Sequence, residues 1–500
     1  MRSHRAAMMQ RIHANCNFDM RHFVAYTWST FEESLAGRTA WRNGRTRKCR
    51  VAMPHLRQTC SAWHDSIRCE QFPFTSNLCR DTPFELRSAG SPMRRQLVRL
   101  HRWFGVATAL FLFVAGLTGA VIAWDHELDA ALNPSFFKAR TAGTALSGLE
   151  LARRVEAADP RLQVTYLPLA AEPGHTLQMM VLPRTDPATR QPYPLDFNQI
   201  AVDPATGEIQ GRREWGAVSL ARLNLIPFIY KLHYTLQLPF TGGVDIGTWL
   251  MGIVGIVWLF DSVIALWLSF PSVKVWRKSF AFRFGRGGYA LTFDLHRSGG
   301  VWIWGLLLIV ALTSISMNLS APVVRPIVSL FSPLTPDPVN NPEIRRAPQP
   351  GDTVLSRERI VQLAEQAGKA RNLGVAPGGI YYAEFMHAYG VGFYATGNDH
   401  GDIGLGNPWM YWDAATGRQL AAQIPGKGTA GDIFLQVQFP LHSGRILGLG
   451  GRILISAVGV AVAVLSATGL LIWLKKLNAR RRSAQNASAA RDAGRSAARP

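Results

Sequence analysis

Residues 100–124, LHRWFGVATALFLFVAGLTGAVIAW, decide how this chain is read. Positions 106–124 are apolar and long enough to cross a hydrocarbon layer of about 30 Å as a helix, and His101 stands at the mouth of that segment. The Leu-His dipeptide recurs as Leu232-His233, Leu295-His296 and Leu441-His442, each ahead of another apolar segment, at 246–270, 301–319 and 453–473. Ionisable side chains are scarce near a bilayer core and mark function when they occur there. Four histidines repeated in register suggest paired axial ligands for haem inside a membrane bundle.

Composition agrees with a mixed protein. Of 500 residues, 48% are hydrophobic and 17% charged, yet the mean hydropathy is only +0.04, so apolar spans alternate with sizeable polar domains. The net charge of +21 does not point to nucleic acid, because its location follows topology. Arg94, Arg95, Arg99 and Arg102 precede the first span. Lys274, Arg277, Lys278, Arg283, Arg286 and Arg297 lie between the second and third, and Lys475, Lys476, Arg480, Arg481 and Arg482 follow the fourth. With four spans these share one side, which the positive-inside rule makes cytoplasmic. The expected order is span 93–126, outer module 127–245, span 246–270, inner loop 271–297, span 298–320, outer module 321–450, span 451–474 and basic tail 475–500, with both termini inside. All five cysteines fall within 1–92, which excludes a Cys-based metal site from the rest. That segment lacks sustained periodicity and reads as an over-extended gene start or a disordered tail.

The chain also repeats itself. Leu100-His101-Arg102 with Gly105 matches Leu295-His296-Arg297 with Gly299-Gly300. Leu232-His233 with Gly242-Gly243 matches Leu441-His442 with Gly450-Gly451, and Val202-Asp-Pro-Ala-Thr-Gly-Glu208 matches Trp412-Asp-Ala-Ala-Thr-Gly-Arg418. Each outer stretch opens on a helical pattern, Leu149, Leu151, Ala152, Val155 in one and Ile360, Val361, Leu363, Ala364 in the other, with Ser147 as a cap for the first. Short strands follow at about 162–168, 176–182 and 197–203, answered by 379–385, 389–396 and 409–413, with Ala-Thr-Gly as a turn signal. The expected fold is a helical membrane protein, a four-helix transmembrane bundle carrying two extracytoplasmic α+β modules from an internal duplication.

Residues 100–134 and 440–476, with the doubled helix-plus-sheet modules, resemble the PepSY-associated transmembrane family and its PepSY domains. The resemblance covers nearly all of 93–477. It implies a bacterial inner-membrane protein, and one branch of the family comprises di-haem reductases of ferric siderophores. On that reading the cofactors are two haem b, the partners are the lipid bilayer, a periplasmic ferric siderophore or ferric iron, and an external donor, either quinol or a cytoplasmic reductase. The alternative it implies is a non-enzymatic protein that binds or regulates an envelope protease or another partner.

Topology and repeat together sort the histidines into an inner pair, His101 and His296, and an outer pair, His233 and His442. Paired imidazoles from quasi-symmetric helices could grip a planar macrocycle from both faces, and bundle cores commonly house such cofactors. Two axial ligands leave no open iron position, which suits electron transfer. The plainer alternative is interfacial histidines contacting headgroups or backbone. Arg102, Arg297 and Arg445 are candidate partners for haem propionates, and Arg102 and Arg297 read equally as positive-inside anchors. Small and hydroxylic residues line the spans (Gly116, Thr118, Gly119; Thr313, Ser314, Ser316; Ser466, Thr468, Gly469), either for close helix packing or to leave room for a flat ring. Asp261, mid-span, is expected to be protonated and bonded to a hydroxyl on another helix. His126 reads as an interface residue, and His175, His387 and His400 as solvent-exposed structural ones. Trp215, Tyr381, Trp409 and Trp412 read as core, or as the lining of an acceptor site. Gly285-Arg-Gly-Gly288 is read as neither following a strand nor opening a helix, so no dinucleotide fingerprint is present. Nothing resembles a hydrolytic triad or a metalloprotease motif.

Overall fold

The computed structural model describes residues 92–336, 339, 341 and 352–497. The first 91 residues, with all five cysteines and the expectation attached to them, lie outside that set. The helices used below are α1 (Pro92–Ile122), α2 (Asp125–Leu132), α3 (Gly148–Ala158), α4 (Leu225–Thr235), α5 (Ile246–Ser269), α6 (Gly288–Trp302), α7 (Trp304–Asn318), α8 (Arg357–Ala370), α9 (Ala430–Gln436), α10 (Gln438–His442) and α11 (Gly448–Ala497). The strands of the main sheet are β1 (Leu162–Pro168), β2 (Leu177–Pro183), β3 (Gln199–Val202), β4 (Ile209–Arg213), β5 (Pro377–Ala383), β6 (Ala388–Phe393), β7 (Trp409–Asp413) and β8 (Gln419–Gln423), and a separate small hairpin pairs Phe240–Thr241 with Val244–Asp245.

Among the described residues, α1, α5 and α11 are each long and apolar enough to cross a membrane. The third apolar segment behaves differently. It is a pair of helices, α6 and α7, bent by 72°. The break at Ile303 follows the helix-weakening pair Gly299-Gly300. Indoles brace it from both sides: Trp302 Nε1 donates to Phe280 O at 3.1 Å and Trp304 Nε1 to Ser262 O at 3.0 Å. Gly288 does open a helix, α6, contrary to expectation, but short 3-10 turns rather than a strand precede it. The βαβ setting of a dinucleotide site is therefore still missing.

Helix α1 packs on α11 and α5, and α7 packs on α5. Gly116 and Gly459 permit the closest approach: a Cβ on either would lie 2.5 Å from the other's carbonyl oxygen. Small residues at such contacts let backbones meet where lipid provides no hydrophobic drive.

Outside the apolar helices, the strands form one antiparallel sheet of eight, in the order β8-β7-β6-β5-β1-β2-β3-β4. The two outer stretches are thus not separate modules. They join at β1 and β5 through Tyr166↔Tyr381, Leu167↔Ile380 and Pro168↔Gly379. An edge strand leaves a row of backbone donors and acceptors unpaired, and joining two edges removes that liability. One apolar core spans both halves, including Leu151, Met179 and Ile200 with Ile360, Val391 and Met410. Arg357 crosses between them as well. Its guanidinium donates to both oxygens of Glu156 and to Val164 O.

Local chemistry is the same on both sides. Ser147 and Ser356 cap α3 and α8, accepting from Glu150 N and Arg359 N. Asp203 and Asp413 begin the β3–β4 and β7–β8 turns by accepting from the backbone N–H two and three residues on. Gly207 (φ +84°) and Gly417 (φ +69°) then take the left-handed conformation that closes each turn. Both turns lead into strands, β4 and β8, that the sequence reading did not include. Their alternation is weak, and β8 is only half-buried throughout.

The sheet is tied to the end of α1 by a buried ion pair. Arg213 on β4 meets Asp129 on α2 at 2.8 Å, while Arg213 also donates to Gln199 and stacks over Phe136. His387, expected at the surface, is only 2% exposed. It occupies the left-handed turn between β5 and β6 (φ +46°), with Tyr382 OH 3.4 Å from its Nδ1. Of the four aromatics, Trp412 sits in the main core, while Tyr381 and Trp409 belong to a small aromatic cluster with Tyr394 and Tyr411. Trp215 lines a cavity between sheet and helices.

Candidate functional site

The four Leu-His histidines come together as two pairs. His101 on α1 and His296 on α6 have ring centres 6.0 Å apart, tilted by 40°. His233 on α4 and His442 on α10 have ring centres 6.1 Å apart, tilted by 54°. The first pair lines a largely apolar cavity of about 370 Å³, the second one of about 130 Å³. Along α1, His101 and the Thr118 that touches the second pair are roughly 25 Å apart at 1.5 Å per residue. Trp258, Leu112 and Val462 line both cavities, so they form the partition between them.

Hydrogen bonds decide the chemistry of these rings. His101 Nδ1 lies 2.8 Å from Asp261 Oδ1, and His296 Nδ1 lies 3.0 Å from Leu465 O. A carbonyl oxygen only accepts, and so does an ionised carboxylate, so His296 Nδ1 carries the proton and His101 Nδ1 does so when Asp261 is ionised. His233 and His442 place Nδ1 3.0 Å from the hydroxyls of Thr118 and Thr313. Those hydroxyls donate to Val114 O and Ile309 O, one helical turn back. Their oxygens are left to accept from Nδ1–H. In all four rings the tautomer is set by this partner, which leaves the lone pair on Nε2. The partner found for Asp261 is thus an imidazole, not the hydroxyl expected from the sequence.

Glycine makes room for one ring of each pair. A Cβ at Gly119 would lie 3.0 Å from His233 Cε1, and one at Gly469 would lie 2.8 Å from His296 Cε1. Arg102 and Arg297 line the first cavity, and each has a buried Nε without a hydrogen-bond partner. Arg445 lines the second. Lys476 and Arg480 on α11 also reach the first cavity; in the sequence they look only like part of the basic tail. Among the described residues no group of three or more His, Cys, Asp or Glu could hold a bare metal ion.

Residues 98–476 match the family described as PepSY-associated TM region. The chain belongs to that family. No curated protein matches it.

A third cavity of this PepSY-associated protein, about 230 Å³, lies between the sheet and the second histidine pair. Asp125, Tyr230, His400 and Arg445 line it and the second cavity alike, which makes it a vestibule. His400, expected in a solvent-exposed role, is half-buried here, 2.8 Å from Asp399. Asp399 raises the imidazole to about 9 against the opposition of burial, with Asp125 adding to the rise and Arg445 countering it. Burial would raise the Asp399 carboxyl, but His400, His126 and Arg445 hold it down to about 2. The pair therefore stabilises the fold fully below the imidazole's ordinary value of about 6.5, and this is lost as pH rises through about 9. On the acid side it is lost as pH falls through about 2. Thermal melts should show Asp399→Asn least stable relative to wild type between about pH 4 and 6.5, with the gap closing near pH 10. His126 is exposed beside Phe137, and His175 contacts Pro173 O.

Proposed function

We propose that this protein binds two b-type haems and passes electrons across the bacterial inner membrane to ferric iron, free or held by a siderophore. His101 with His296 would hold the iron of one haem, and His233 with His442 that of the other. The observation that carries this reading is the pair spacing taken with the four occupied Nδ1 atoms. Two imidazole nitrogens each about 2 Å from one metal put their ring centres roughly 6 Å apart, and the two pairs stand at 6.0 and 6.1 Å. Bound haem would supply a one-electron iron couple.

The chain's own residues do the rest. Thr118, Thr313, Asp261 and Leu465 hold each ligand in its tautomer. Arg102, Arg297 and Arg445 offer charge to propionates. The mirrored strand order and matching turns favour an internal duplication, with α6 and α7 together as the third of four crossings. On this reading the basic ends of the spans and both termini are cytoplasmic and the sheet periplasmic. Electrons enter at the His101–His296 side from quinol or a cytoplasmic reductase. They leave through the vestibule, where one electron converts one ferric ion to ferrous and weakens its hold on hard oxygen donors.

Mixing the anaerobically reduced protein with a ferric hydroxamate chelate and a ferrous-specific dye tests the activity. The haem α-bands should return to the oxidised form as ferrous dye complex accumulates, one iron per electron. Reduced bands that persist in excess chelate would refute ferric reduction.

A further inference from the structure

The two histidine pairs differ in one respect that neither the repeat nor the family explains. In the outer pair both rings donate to a threonine hydroxyl, Thr118 and Thr313, 195 residues apart. In the inner pair His296 donates to a neutral carbonyl, Leu465 O, with the Thr468 hydroxyl at 3.4 Å. His101 alone donates to a carboxylate, Asp261, at 2.8 Å. Asp261 is 8% exposed, and among the described residues no arginine or lysine is paired with it. A carboxylate inside a span is expensive and is retained for a reason.

We infer that Asp261 is a positioning residue that sets the inner haem at a lower potential than the outer one and so gives electron flow its outward direction. This rests on the haem reading above. A carboxylate accepting from Nδ1–H draws the proton away and makes the imidazole a stronger donor to its metal. Its negative charge, in a low-dielectric site, adds to the preference for the more positive ferric state. Hydroxyl and carbonyl acceptors do both more weakly. An electron given up by an external quinol or reductase therefore reaches the inner site first and moves downhill to the outer one. From there it reduces one ferric ion to ferrous, with no net charge left on the protein.

Spectroelectrochemical titration of the purified full chain with its haem decides this. Wild type should show two one-electron waves. Asp261→Asn keeps an acceptor oxygen but loses the charge. It should move the lower wave upward by a tenfold or greater change in ferric preference, about 59 mV per tenfold for one electron, and leave the upper wave in place. Asp261→Glu should keep the lower wave low, which covers the case in which the asparagine variant loses haem. An unmoved lower wave in a haem-replete Asp261→Asn protein, or movement of the upper wave instead, would overturn the inference while leaving the haem sites standing. A wild-type protein without haem would instead overturn the parent reading, and this inference with it.

Discussion

His442→Ala is expected to leave the purified protein with one haem in place of two. His442 sits on the five-residue helix α10, where its Nδ1 bonds the Thr313 hydroxyl. An alanine there removes one imidazole of the pair and leaves His233 facing a largely apolar cavity alone. One imidazole holds haem far more weakly than two, so the outer site should empty. The inner pair, roughly 25 Å away along α1, shares no ligand with it and should stay loaded. His296→Ala should give the reciprocal result and spare the outer spectrum. Haem counted as the pyridine haemochrome, with the α-band of each variant resolved at low temperature, checks both. Two haems retained in either variant, or both lost in each despite a normal melting curve, would refute the pairing.

Gly459→Leu should have the next largest effect, and on both sites together. Gly459 and Gly116 face each other across α11 and α1 with no room for a Cβ, because the opposing carbonyl oxygen would lie 2.5 Å away. Both obstacles are backbone, so the helices must part. Overpacking of this kind costs about 1–3 kcal/mol even in cores that adjust by moving side chains. Thr118 and Gly119, which hold and accommodate His233, lie within one turn of Gly116, so the outer ligand is displaced first. Val462, in the wall of both cavities, carries the shift to the other. A lower melting temperature and haem loss on gel filtration are expected, greater at the outer site. Gly105→Ala is the control, since nothing lies within 4 Å of its added Cβ. Wild-type haem retention in Gly459→Leu would contradict this packing.

Much of this molecule was legible in its sequence because the informative features are local. A span declares itself by twenty apolar residues, and a turn by Asp-x-Ala-Thr-Gly, whose aspartate and glycine do their work within five positions. Membership of the PepSY-associated family rested on similarly contiguous motifs. What escaped depends on partners far apart in the chain. No pattern in 162–168 says that its edge will take 377–383 rather than water, so two modules were expected where one eight-stranded sheet stands. Asp261 reads as an isolated expense until His101, 160 residues earlier, is found beside it. The ion pairs Asp129–Arg213 and Glu156–Arg357 join charges that look like ordinary surface in sequence. His387 was expected at the surface because it lies in an outer stretch without ligand spacing, yet its turn is folded inward, within reach of Tyr382. The 72° bend at Ile303 arises where a glycine pair meets two anchored indoles, a tertiary cause that apolar content does not register.

The central claim is that each histidine pair grips one iron porphyrin. It is tested most directly by the absorption spectrum and haem content of the full chain, purified from haem-sufficient cells in mild detergent. A Soret band, α-bands that appear on reduction, and two non-covalent haems per chain are expected. A folded, monodisperse protein that is colourless would contradict it.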